Sequence, residues 1–158
     1  MLALARTLGL VLVVLAAPSG VARAATTAET LAQWGLLGTW ALDCSQPASS
    51  GNGYLTYLAT SGGKVVHRRE FGSRRDSNDV LEATIGRDGT LELVIHFSAL
   101  AQTRKFVLMK GPDGRVRAMA NSTVEGTEYT VRDGRFTSNN QPTPWQVRCS
   151  REQAFQFG

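Results

Sequence analysis

Two cysteines, Cys44 and Cys149, constrain this chain more than any other feature. Each ends or sits in an alternating stretch that carries a tryptophan: Gly38-Thr39-Trp40-Ala41-Leu42-Asp43-Cys44, and Trp145-Gln146-Val147-Arg148-Cys149-Ser150-Arg151. A period of two puts Trp40, Leu42 and Cys44 on one face, and Trp145, Val147 and Cys149 on one face. The two stretches are predicted to be the first and last strands of one β domain, joined by a disulfide. Such a bond closes a loop of about 105 residues, worth up to roughly 4.7 kcal/mol in the chain-entropy view of disulfides. A Cys/His metal site is the alternative, but no C-x-x-C or H-x-x-H spacing occurs, so no metal and no cofactor is expected.

The amino-terminal region fits the same compartment. Arg6 precedes an apolar run from Thr7 to Ala17, and Ala22-Arg23-Ala24 offers small residues at the two positions a signal peptidase inspects. Residues 1–24 are expected to be a signal peptide, too short in its apolar core to span a bilayer, which takes roughly 20 residues. The remaining 25–158 is one domain's worth of chain with no membrane span, placed in the periplasm or secreted, and expected to be monomeric. Of 17 basic residues Arg6 and Arg23 leave with the leader, so 15 face 13 acidic ones, a net of +2. The dense basic pairs Arg68-Arg69 and Arg74-Arg75 lack interleaved aromatics, which argues against nucleic acid.

Along the domain, Thr26-Thr27-Ala28-Glu29 predicts a capping box and a short helix ending at Gly35, with Trp34 plugging a core. From Leu37 onward the signal is strand after strand. Asp88-Gly89, Asp113-Gly114 and Asp133-Gly134 separate alternating runs, as tight hairpin turns with positive φ at both turn residues do. Gly72–Asn78 reads as a polar loop, Asp79–Ile85 as a strand with Leu81, Ala83 and Ile85 on one face, and Arg135–Asn140 as loop. The sum is an all-β antiparallel up-and-down barrel of about 8–9 strands with a short N-terminal helix.

Alternation also selects the inner face: Leu91, Leu93, Ile95 and Phe97, then Val116, Ala118 and Ala120, then Tyr129 and Val131. Among these apolar positions stand three cations or titratable groups. If Val65 and Phe71 point inward, so do His67 and Arg69; if Phe106 and Leu108 do, so does Arg104. A guanidinium inside a small barrel needs an anion. A ligand carboxylate held along Leu93, Ile95 and Leu108 would serve, and so would a rim position or a loop carboxylate such as Asp76. The second histidine, His96, is expected to face outward. No phosphate loop, nucleophile elbow or acid–base pair stands out, so no catalytic residue is expected. Asn121-Ser122-Thr123 matches a glycosylation sequon, which matters only in a eukaryotic secretory pathway.

Gly38-Thr39-Trp40, following a short helix and heading an antiparallel meander, resembles the G-x-W signature of lipocalins and other calycins. The resemblance implies that Trp40 plugs the closed end of the barrel and that an arginine of the last strand, here Arg151, packs across its ring. It also implies binding of a small hydrophobic molecule, or an inhibitory role. W-A-L-D-C at 40–44 and T-P-W-Q-V-R-C at 143–149 are similar to small secreted bacterial proteins, a likeness that carries no function. Two readings result: a binder of a small amphipathic, anionic ligand using Arg69, Arg104, His67, Leu93, Ile95, Phe106 and Tyr129, or a barrel that binds an envelope protein as a hydrolase inhibitor or accessory subunit.

Overall fold

In a computed structural model the chain is described over residues 23–150; residues 1–22 of the expected leader and Arg151 lie outside them. Thr26 caps helix α1 (Thr27–Trp34) with both bonds of the capping box, and Gly35 ends it at φ 85°. Leu31 and Trp34 are its buried face. The indole Nε1 of Trp34 donates to Gly89 O at 2.8 Å, and Lys110 Nζ sits 4.4 Å over the same ring. The helix therefore lies across one end of the sheet, as expected of it.

Ten strands follow: β1 (Gly38–Ala41), β2 (Tyr54–Ala59), β3 (Val65–Phe71), β4 (Arg74–Ile85), β5 (Leu91–Phe97), β6 (Gln102–Lys110), β7 (Val116–Thr123), β8 (Tyr129–Arg132), β9 (Arg135–Phe136) and β10 (Val147–Arg148). All pairs are antiparallel, in the order β10-β1-β2-β3-β4-β5-β6-β7-β8-β9. This is the expected meander, curled into a barrel-like sheet. The carboxy-terminal segment draws the curl together: β10 pairs with β1, while the preceding Gln146 exchanges two backbone hydrogen bonds with Val116 of β7.

Several local expectations are corrected. Gly72-Ser73 is a two-residue turn rather than the start of a long loop, because Gly72 supplies φ 71° and β4 begins at Arg74. Arg135–Phe136 pairs with β8, which adds a short strand where loop was expected. Of the three Asp-Gly turns only Asp133-Gly134 has positive φ at both residues; at Gly89 and Gly114 the glycine alone is left-handed. In those two, Asp88 and Asp113 accept from the backbone N–H of Thr90 and Arg115 instead.

The core has two parts. The larger fills the inner face with Leu31, Leu36, Trp40, Tyr57, Val65, Leu91, Leu93, Ile95, Phe97 and Val116. Trp40 is buried, with its Nε1 donating to Leu36 O at 2.7 Å. The smaller is built from Ala41, Cys44, Tyr54 and Cys149, with Ala48 and Val147 against it. Ala41 alternates with Trp40, so this cluster lies on the outer face. Cys44 and Cys149 are bonded, as predicted, but on the side of the sheet away from Trp40. β1 stops at Ala41 and the chain turns, which leaves Leu42 37 % exposed rather than beside Trp40.

Two bulges move other residues. Leu81 is the extra residue between Val80 and Glu82 and is exposed, while Val80 and Ala83 face inward. Met119 is extra on β7, so Ala120 falls opposite Val107 and Asn121 opposite Phe106. Asn121, not Ala120, thereby joins the inner face.

Candidate functional site

Strand direction sorts the inner face along the barrel. Upward strands end, and downward strands begin, at the end away from α1. That end receives Arg69 from β3, Asp76 and Asn78 from β4, Phe97 from β5, Arg104 from β6 and Asn121 from β7. The helix end is lined by Leu31, Leu36, Leu91 and Leu108. The interior thus grades from aliphatic to aromatic and charged.

Arg69 is complete. It pairs across the β3–β4 ladder with Asp76, its Nε donating to Oδ1 at 2.8 Å and its Nη2 to Oδ2 at 2.5 Å. Its guanidinium also covers the Phe97 ring at 4.4 Å. This bidentate partner holds the Asp76 carboxyl below the usual carboxylate range. Asp76 in turn accepts from Asn78 Nδ2 at 2.6 Å.

His67 is buried against Tyr57, with ring centroids 4.4 Å apart and planes 18° from parallel. Burial, then the neighbouring Arg69 charge, pushes the imidazole down to about 3, so it is neutral at ordinary pH. Burial likewise pushes the Tyr57 hydroxyl up. Two acceptor-capable atoms stay without a partner here, His67 Nδ1 and Asn78 Oδ1.

Arg104 is incomplete. The residue is 8 % exposed, its Nε donates to Asn121 Oδ1 at 2.7 Å, and its Nη2 is buried with no hydrogen-bond partner. The carboxylate nearest it, Glu128, stands 4.0 Å from Nη1 and is itself 72 % exposed. A guanidinium keeps its charge at any pH a folded protein meets. Leaving one of its donors unpaired inside a protein costs about 1–3 kcal/mol or more. Phe106 and Phe97 flank this position, their centroids 5.9 Å apart.

The structure brings together Arg69, His67, Arg104 and Phe106 at one end. It places the other expected residues elsewhere. Leu93 and Ile95 are closed off in the core at 0 % and 1 % exposure. Tyr129 lies opposite Ser122 rather than Asn121, half-buried beneath Arg132, whose guanidinium is 4.1 Å over its ring. The residue opposite Trp40 in register is Arg148, and its Nη2 donates to Leu37 O at 2.7 Å. His96 faces outward as expected, with Nδ1 3.0 Å from Thr103 Oγ1. Sequence reading missed Asn78 and Asn121 as site residues; the first sat in a segment taken for loop, the second behind an unseen bulge.

Open space lies outside the packed interior. A groove of about 1490 Å³ crosses the outer face of β1–β4, walled by Arg148, Cys149 and Ser150. A smaller cleft of about 500 Å³ lies between Trp40, Lys110, Arg115 and Arg148. Neither is lined by Leu93, Ile95, Phe106 or Arg104. Among the described residues no group of three or more His, Cys, Asp or Glu is arranged to hold a metal ion. No family model, curated protein or solved structure matches the chain.

Proposed function

We propose that this chain is an exported binding protein that takes a small amphipathic anion at the barrel end away from α1, with Arg104 as the seat of the acid group. The observation that carries this reading is the buried Arg104 guanidinium whose Nη2 lacks a partner. A carboxylate or similar acid fits the free edge of that fork. Export is supported by the leader-like residues 1–24 and by the disulfide, which persists in oxidising compartments. No helix among the described residues is long and apolar enough to cross a membrane.

Because Leu93 and Ile95 are packed, the ligand's tail runs outward, toward the exposed Leu100 and Val124 on loops of the same end. Those two side chains, 57 % and 48 % exposed, also favour a second reading. An envelope protein could seat an apolar surface on them and place an acidic side chain at Arg104.

Native mass spectrometry of the protein purified from its own envelope separates the readings. A retained small acid, absent from Arg104→Met, is the expected result. A bare chain that co-purifies with one protein partner would replace the first reading by the second.

A further inference from the structure

The outer groove carries a row of residues on the opposite face of the sheet from Arg104. Its floor is a row set by strand register: Thr39 on β1 lies opposite Thr56 on β2, Thr56 opposite Arg68 on β3, and Arg68 opposite Ser77 on β4. Thr39 and Trp40 point to opposite faces, so the row is on the outside of the sheet. The two threonine hydroxyls are 3.0 Å apart and hydrogen-bonded, which fixes their rotamers and leaves one O–H of the pair free to donate outward.

Charge in the groove is unbalanced. Its lining includes Arg68, Arg75 and Arg148 against Glu70, while Arg69 and Asp76, which also border it, are the ion pair of the inner face. Glu70 is already engaged by Arg75. Arg68 is exposed and has no carboxylate partner among the described residues. The cationic surplus therefore sits beside a line of hydroxyls.

We propose that this groove binds a short acidic oligosaccharide, with Arg68 taking a carboxylate and Thr39, Thr56 and Ser77 meeting sugar hydroxyls. The face argues against the common alternatives. β1, β2 and β3 are paired on both sides, so they offer an extended peptide no strand edge within the row, and the Arg74–Asn78 part of β4, which pairs with β3 alone, is open on the side away from it. The one tyrosine of the lining besides Tyr57 is Tyr54, buried with its hydroxyl donating to Gln46 O at 2.7 Å, so no stacking platform exists for nucleobases. What the face does present is side-chain hydroxyls and a planar guanidinium fork, which suit a polyhydroxylated carboxylate. The row spans about 14 Å, three interstrand steps, which is room for a ligand of several rings rather than one. The disulfide holds the wall that carries Arg148, since Cys149 lies next to it and is anchored through Cys44.

The test is calorimetric titration of the full chain with an oligogalacturonide and with a neutral oligosaccharide of equal length. The acidic ligand is expected to bind at least about tenfold more tightly, and Arg68→Gln to weaken it by about tenfold, the loss of one charge-assisted contact. Arg87→Gln, an equal change of charge on the exposed 86–90 turn, should leave binding unchanged, as should Arg104→Met at the barrel end. Equal binding of the neutral ligand, no binding of the acidic one, or an equal loss in Arg87→Gln would overturn the proposal. Loss in Arg104→Met alone would assign the saccharide to the other site and equally overturn it.

Discussion

The two ends of the barrel solve the same packing problem differently. At the helix end every polar atom of the large side chains is used: Trp34 donates to Gly89 O and Trp40 to Leu36 O, within a setting of Leu31, Leu36 and Leu91 at 0–1 % exposure. At the other end the interior holds two arginines, a neutral histidine and two asparagines, and three of their buried atoms lack partners. Unpaired buried polar groups destabilise a fold. Stability is therefore concentrated where the helix closes the sheet, and the proposed recognition falls at the end where it does not.

That contrast can be broken by substitution. The largest effect belongs to the helix end: Trp40→Ala should cost about 3–5 kcal/mol in denaturant unfolding, as a large buried side chain is lost together with its hydrogen bond. Acid attacks the other end. The unfolded chain's imidazole takes up a proton below about pH 6.5, whereas folded His67 refuses it until about pH 3, so stability falls as pH drops through that window. The fall should amount to about 3 kcal/mol by roughly pH 4. Asp76, held low chiefly by its hydrogen bonds from Arg69, adds a loss of the same sign as pH falls further, through its folded titration. His67→Phe, which keeps a ring against Tyr57, should remove the part between pH 6.5 and 4 and leave the part due to Asp76. A pH profile identical to that of the unsubstituted protein would show that His67 does not titrate in this way.

The two arginines sharpen the contrast within the polar end. Arg69→Met strands the half-buried Asp76 carboxylate and should cost about 2 kcal/mol, the worth of a hydrogen bond to a charged group. Arg104→Met removes a charge that is held by Asn121 at 2.7 Å and by the exposed Glu128 at 4.0 Å, and should leave stability within about 1 kcal/mol or raise it. Equal losses for the pair would mean that Arg104 is as well satisfied as Arg69.

How much of this the sequence foretold depends on where alternation runs unbroken. Leu91–Phe97 has no bulge, and its inward set is the one expected. The Asp-Gly turns marked hairpins even where their backbone type differed, because a left-handed glycine serves both forms. Bulges at Leu81 and Met119 were illegible, since one extra residue exchanges the faces of everything beyond it without changing composition. That is why Ala120 was expected where Asn121 lies. The side of the sheet occupied by the disulfide failed for a related reason: β1 is too short to carry its parity as far as Cys44. Asp76 was legible as a partner for Arg69 but not as a strand residue directly across the ladder, because seven polar residues from Gly72 to Asn78 carry no apolar period.

Fluorescent fatty-acid titration of the unsubstituted protein beside Arg104→Met and Arg69→Met tests the central claim most directly. Arg104 should be the residue on which binding depends: saturable binding in the unsubstituted protein, weakened at least about tenfold in Arg104→Met, as loss of a bidentate charged contact requires. Arg69, already satisfied by Asp76, should matter much less. An unsubstituted protein that does not bind, or an Arg104→Met variant that binds as well, would contradict the account and return Arg104 to a purely structural role.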